Sequence, residues 1–205
     1  MPGADSIRVV HPAFFQQEGG GSIPTSALQL QIVQTSLEVV LRLNTLWHSR
    51  LPRFHGTSSV SMRFAAIHGG LYYAIAIWGP PSARLLPQNT WLELKRLAIA
   101  PDAPCNTASR MISIMARIIH QTHSEIEVLI SYQDTEVHTG TIYRASGWYV
   151  AAHTKFTPWD HPGRPHMFPD QSHADKVRWQ KDLVPQNGKR RLEIEAPALT
   201  QSRLY

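Results

Sequence analysis

Residues 91–149 constrain this chain more than any other stretch. A mostly apolar run at 91–99 is followed by a polar turn bounded by Pro101 and Pro104. A helical spacing runs from Asn106 or Thr107 to about Gln121, and a second apolar run covers 126–132. A helix opening at Asp134 or Thr135 then closes at Gly147, and residues 148–154 read as a last strand. The order is strand, turn, helix, strand, helix, strand, which points to an α+β sheet flanked by helices. A turn that opens directly onto a helix N-terminus presents unpaired backbone N–H groups, which suit an anion.

Upstream, Pro24, Thr25 and Ser26 read as the cap of a helix that continues to about Leu46. Pro52 blocks its continuation. Residues 59–78 read as a hairpin turning at His68, Gly69 and Gly70. A short strand is expected near residues 7–10, followed by a loop containing Gly19, Gly20 and Gly21. After residue 155 the composition turns to Pro, His, Asp and Lys, with Trp159, Phe168 and Trp179 as expected anchors. The expected organisation is one domain over residues 1–155 and a partly irregular C-terminal extension over 156–205.

The chain has 205 residues, 42% of them hydrophobic, enough for a sizeable core, and a net charge of +5. Its basic excess is uneven. Residues 39–92 hold no Asp or Glu, but contain Arg42, Arg50, Arg53, Arg63, Arg84, His48, His55 and His68. Such an asymmetry suits a polyanion, whose phosphates give affinity without regard to sequence. The single cysteine, Cys105, cannot form an intrachain disulfide, which fits a reducing compartment. No apolar run is long enough to span a membrane, and the N-terminus reads without a signal peptide, so a cytoplasmic protein is expected.

Candidate chemistry falls into four groups. Asn106, Thr107, Ala108 and Ser109 open the helix after the Pro-bounded turn and form either an anion cradle or an ordinary cap. Tyr143 lies four residues before Gly147. A phenol there is a sensible proton donor to a thiolate leaving group, or simply an aromatic packing its helix on the sheet. Asp134 and His138, spaced i, i+4 at a strand end, are candidates for a metal or for proton transfer. Glu93 and Arg96 interrupt an apolar strand. The period-two rule puts Glu93 with Lys95 on one face and Arg96 with Leu94 on the other. Glu93 is then a candidate base or ligand, and Arg96 a candidate phosphate contact. In the acid-free stretch, Trp47, His48 and Arg50, with Arg53 nearby, offer an aromatic and cations for a flipped base; the bland alternative is a helix end complementing its dipole. Asn106, Asp134 and Tyr143 are expected to converge on one notch between two splayed central strands, with arginines at its mouth.

The pairing of the anion-ready turn with Tyr143-x-x-x-Gly147-Trp148 resembles the core of the GNAT acyltransferase superfamily. A closer resemblance rests on five stretches: Trp47 to Pro52, Tyr73 to Trp78, Leu92 to Ile99, Pro101 to Arg110, and Ser131 to Tyr143. Together they resemble the phage Mom family of DNA adenine modification proteins. The resemblance implies a GNAT-like, mixed and mostly antiparallel sheet. It implies conversion of adenine N6 in DNA to a methylcarbamoyl derivative that shields phage or mobile-element DNA from restriction. It marks His48, Asp134, His138 and Tyr143, and implies a double-stranded DNA partner, an acyl-CoA or related small-group donor, and iron. His48, Asp134 and His138 would be the metal ligands, and a homodimer is a candidate assembly. Where GNAT proteins carry Gly-x-Gly, this turn has Thr107 and Ser109, which puts acetyl-CoA itself in question. The alternative is a conventional acetyl-CoA-dependent N-acetyltransferase acting on a small amine or a protein.

Overall fold

The computed structural model describes residues 23–48, 54, 62–155 and 174–184. Among these, seven strands form one sheet: β1 (Gln31–Gln34), β2 (Met62–His68), β3 (Leu71–Gly79), β4 (Trp91–Ile99), β5 (Val128–Asp134), β6 (Tyr149–Thr154) and β7 (Lys176–Asp182). Their spatial order is β1-β2-β3-β4-β5-β7-β6. Every neighbouring pair is antiparallel except β4 and β5. A parallel pair needs a crossover, and α2 (Thr107–Thr122) supplies it.

The β2–β3 hairpin turns on Gly69 and Gly70, both at positive φ (54° and 80°), which only glycine adopts cheaply at both central positions. The helix expected over 24–46 is instead three elements. Ser26 caps a single 3-10 turn, Ala27–Gln29, through a capping box; β1 follows; Ser36 then caps α1 (Leu37–Trp47). Ile32 and Val33 are β-branched and lie on an edge strand paired along β2, so tertiary pairing overrides the weak helical spacing.

The C-terminal segment also departs from expectation. Residues Lys176–Asp182 are regular strand, inserted between β5 and β6 within the same sheet. Their alternation is legible in hindsight: Val177 and Trp179 face the core, with Lys176, Arg178 and Gln180 between them. Trp179 is an anchor as expected, whereas Trp159, Phe168 and the strand expected at 7–10 lie outside the described residues.

Two apolar layers sandwich the sheet. Under α2 and the short α3 (Thr141–Ala145) lie Trp78, Leu92, Leu94, Met111, Met115, Leu129, Tyr143, Trp148 and Trp179. On the opposite face, α1 covers Val40, Leu43, Tyr72, Ile75, Ile77 and Ala98. Burying each large side chain contributes about 1.5–3 kcal/mol, so both helical layers are held by the sheet rather than by helix propensity.

Candidate active site: a notch between β4 and β5

The two central strands are hydrogen-bonded partners only from Trp91↔Val128 to Leu94↔Ser131. Beyond that rung β4 continues to Ile99 and β5 to Asp134 without pairing to each other. The parted strands leave a notch whose floor is the last shared rung. Ser131 lies there, its hydroxyl 2.8 Å from the Tyr143 hydroxyl. The Tyr143 ring stacks on Trp179 at 5.4 Å and meets Trp148 at 5.7 Å. Tyr143 is therefore part of the aromatic core, 7% exposed. Burial raises its pKa, against the lowering effect of the Ser131 bond, so the phenol holds its proton.

A bulge in β4 reverses the expected facing of Arg96. Trp78 pairs with Leu94 and Ile77 with Arg96, so Lys95 is left over. Trp78 and Leu94 belong to the core under α2, whereas Ile77 belongs to the core under α1. The extra residue thus swings Arg96 to the α1 face, the face Glu93 already occupies by alternation from Leu94. Period-two reasoning put Arg96 with Leu94 because a bulge leaves no mark in an apolar pattern.

On that α1 face a polar group gathers. His48 caps the C-terminus of α1. Its pKa is lowered to about 4, chiefly by burial, then by the charge of Arg96 and by His138. The imidazole is therefore neutral at ordinary pH, an acceptor rather than a cation. The Arg96 guanidinium lies 5.2 Å from the centre of the Phe54 ring and donates 2.7 Å to the Lys95 carbonyl. Tyr132 is the first β5 residue past the shared rungs and alternates onto the same face. Its hydroxyl pKa is raised by burial first and by Glu93 next, with a hydrogen bond to Arg178 opposing. Arg178, paired with Tyr132 across β5–β7, also lies over Trp91 at 5.8 Å. Neither Tyr132 nor Arg178 stood out as a site residue in the sequence. One signal was available in Arg178, a cation between Val177 and Trp179; Tyr132, among Ser131, Gln133 and Asp134, gave none.

Glu93 is not a free base. Its carboxylate accepts from the Ser82 amide at 2.6 Å and the Ser82 hydroxyl at 3.2 Å, and pairs with Lys95 at 3.0 Å. It fastens the β3–β4 loop to the sheet. Asp134 ends β5 instead of opening a helix, and its carboxylate accepts from the Glu136 amide at 3.0 Å. The helix begins only at Thr141 because residues 135–140 fold as a loop tied elsewhere. Gln133 accepts from the Trp179 indole at 2.6 Å and donates to the His138 carbonyl. Gly140, at φ 76°, packs where a Cβ would collide with both Trp179 and Gln133. The His138 amide donates to the Asp134 carbonyl at 3.1 Å, so the two are joined by a single turn, but no helix continues from it. By alternation Asp134 lies on the α1 side and Tyr143 on the α2 side, so the expected convergence of Asn106, Asp134 and Tyr143 on one notch does not form: Asp134 and Tyr143 lie on separate faces. The notch is instead flanked from both faces.

Trp47 is half-buried against the α1-side core, its indole N–H enclosed. Arg50 and Arg53 lie outside the described residues.

At the far end of β4, Asn106 adopts a left-handed conformation (φ 67°) and leads into α2. Thr107 is buried, its hydroxyl turned back 2.6 Å onto the Pro104 carbonyl, and Ser109 donates to the Asn106 carbonyl at 3.2 Å. Both side chains fold toward the backbone, and the Thr107 amide itself donates to the Pro104 carbonyl at 3.3 Å. Of that first turn, the Ala108 and Ser109 amides are the groups that would face a diphosphate if a nucleotide-like donor bound there. Iron fits less well. Among the described residues no three His, Cys, Asp or Glu side chains gather to hold a metal ion, so His48, Asp134 and His138 do not form the ligand set expected of them. The cation Arg96 beside His48 also opposes a second positive charge there.

Solved structures share this architecture. An acetyltransferase of the GNAT family from Desulfovibrio desulfuricans, described as putative, superposes with a TM-score of 0.54 at 14% identity, over 76% of this chain and 99% of that one. A Bacillus subtilis acetyltransferase in complex with CoA gives 0.56 at 12% identity, over 76% and 99%. The ribosomal-protein-S18-alanine N-acetyltransferase of Escherichia coli gives 0.51 at 13% identity, over 77% and 97%. At these identities the likeness establishes the fold, which is GNAT-like, as expected. A comparison with curated proteins finds no match. The Mom protein family, however, matches residues 72–196. This chain belongs to the Mom family. The match spans β3 to β7 and so takes in the bulge, the notch, the α2 turn, Tyr132, Tyr143 and Arg178. The Mom-family segment thus includes β7, and the sheet does not end at residue 155.

Proposed function

We propose that this Mom family member is a transferase that modifies DNA, converting adenine N6 to a methylcarbamoyl derivative in the cytoplasm of a bacterial host, and that the mark protects phage or mobile-element DNA from restriction. Membership of the Mom family, over the segment that builds the notch, carries this reading. An acyl-CoA or related donor would supply the activated carbon. Asn106, Thr107, Ala108 and Ser109 would hold its diphosphate at the α2 turn.

The remaining roles follow from this chain's own groups. Adenine N6 cannot be reached within a duplex, so the base must leave the stack and enter the notch. The α1 face receives it. There Arg96 and Arg178 would favour the phosphates of the flipped nucleotide, and the neutral His48 imidazole can accept a hydrogen bond from the N6 amine and so orient it. Tyr143, protonated and bonded to Ser131 at the floor, can return a proton to a departing anion only through or past Ser131, because its own hydroxyl is buried. Among the described residues no helix is long and apolar enough to cross a membrane.

The test is nucleoside mass spectrometry on plasmid from a host expressing the protein. A deoxyadenosine of increased mass, and resistance of the deproteinised plasmid to restriction enzymes, is the expected result. Unchanged deoxyadenosine from a folded, well-expressed protein would remove this reading. The second reading, a conventional acetyl-CoA-dependent acetyltransferase of a small amine or protein, draws on the CoA-bound B. subtilis neighbour. It expects tight coenzyme A binding with no DNA binding at moderate salt.

A further inference from the structure

Tyr132 stands at the notch without a part in the chemistry outlined above. The last rung shared by β4 and β5 is Leu94↔Ser131, so Tyr132 is the first β5 residue that has lost its β4 neighbour. Ser131 turns to the α2 side, where it meets Tyr143, and alternation puts Tyr132 on the α1 face. The β4 residue on that face past the same rung is Arg96, carried there by the bulge at Lys95. Side chains directly opposite on paired strands stand about 5 Å apart and touch. Here the ladder has ended, so a guanidinium plane on β4 and an aromatic ring on β5 flank the opening from its two sides.

The ring is tethered, and packing does not use it. Tyr132 and Arg178 are cross-strand partners on β5 and β7, and the Tyr132 hydroxyl is hydrogen-bonded to the Arg178 side chain. Arg178 in turn lies over Trp91 at 5.8 Å. Tyr72 and Tyr143 are buried in the two apolar layers, whereas Tyr132 belongs to neither layer and is half-buried. A β5 ring spared from the core, held by its tip and set across the opening from an arginine, has the form of a stacking platform. Bases that leave a helix are held by aromatic faces and guanidinium planes in this way. We infer that the flipped base stacks on the Tyr132 ring at the mouth of the notch. This rests on the DNA-modifying reading above, and its test separates the two.

The test uses the full chain and two duplexes with a single-nucleotide bulge, one carrying adenine there and the other an abasic site. They differ by one base and share every phosphate. By anisotropy at moderate salt the wild-type protein should bind the adenine bulge about tenfold more tightly, the scale of one base–aromatic stack. Tyr132→Leu should lose this preference and keep its affinity for the abasic bulge within about threefold, because the phosphate contacts remain. Tyr132→Phe keeps the ring and should keep the preference. Tyr132→Thr, a good strand former, serves as a second ringless variant, and thermal melting checks that each is folded. A full preference in either folded ringless variant would overturn the inference. So would equal losses in the Phe and Leu variants, or a wild-type protein indifferent to the base. A base preference that depends on the ring, with host deoxyadenosine unchanged, would remove the proposed reaction and support the platform. Host deoxyadenosine modified equally by wild type and Tyr132→Leu would remove the platform and leave the reaction standing.

Discussion

At the point where β4 and β5 part, the two faces of the sheet are built on opposite principles. On the α2 side, Tyr143, Trp148, Trp179 and Trp78 form a dry aromatic stack, in which the Tyr143 hydroxyl is bonded to Ser131 and the Trp179 indole to Gln133. On the α1 side lie His48 at the end of α1, Arg96 on β4, Tyr132 on β5 and Arg178 on β7. Charge in a half-buried position is costly unless partnered, and here Arg96 lies over Phe54 and within the field of the Glu93 carboxylate, while Arg178 lies over Trp91. One face is thus organised to hold the notch in shape. The other gathers positive charge and a neutral imidazole beside the same notch. A residue's effect on stability and its effect on chemistry should therefore separate by face.

The largest test of that division is Trp179→Ala. It removes the ring under Tyr143 and the donor to Gln133, and should lower stability by about 4 kcal/mol in urea denaturation. A loss under about 1 kcal/mol would mean that the aromatic face is not what holds β7. Gly140→Ala comes next. Its Cβ would meet Trp179 and Gln133 at a positive φ, and about 3 kcal/mol of destabilisation is expected from clash and strain together. Tyr143→Phe should cost only about 1 kcal/mol, the value of one lost hydrogen bond to Ser131. If Tyr143 also moves a proton, the modified deoxyadenosine in host DNA falls much further than that small destabilisation explains. Wild-type modification in this variant would reduce Tyr143 to packing.

A pH-dependent effect belongs to His48. Its pKa in the folded protein is about 4, against 6.5 when unfolded. As pH falls below 6.5 the unfolded chain takes up a proton that the folded chain refuses, so the stabilisation present above that pH is lost on the way to about 4. His48→Asn should flatten this part of the stability–pH curve, measured as the urea midpoint from pH 4 to 7. An unchanged slope would place the imidazole in solvent, outside the polar group on the α1 face.

The sequence made much of this arrangement readable. The hairpin at Gly69 and Gly70, the strands at 91–99 and near 149–154, and the helix opening at Asn106 all follow from local spacing and turn chemistry. So did the GNAT-like architecture and the Mom resemblance, carried by the stretches from Tyr73 onward. What escaped was set by distant partners. The edge strand Gln31–Gln34 reads as helix until β2 is beside it. The strand at Lys176–Asp182 is hidden in Pro- and His-rich surroundings until β5 and β6 offer it two ladders. Asp134 looks like a helix cap until seven rungs with β7 hold it in the sheet.

The chain's own letters determined which residues could be apolar, which turns must bend and where positive charge would collect, because these depend on side-chain chemistry and near neighbours. Only the folded sheet decided which face each charge would occupy. One unpaired residue at Lys95 turned Arg96 from the dry side to the polar side. A bulge exists only between two strands, so no single strand's pattern can announce it.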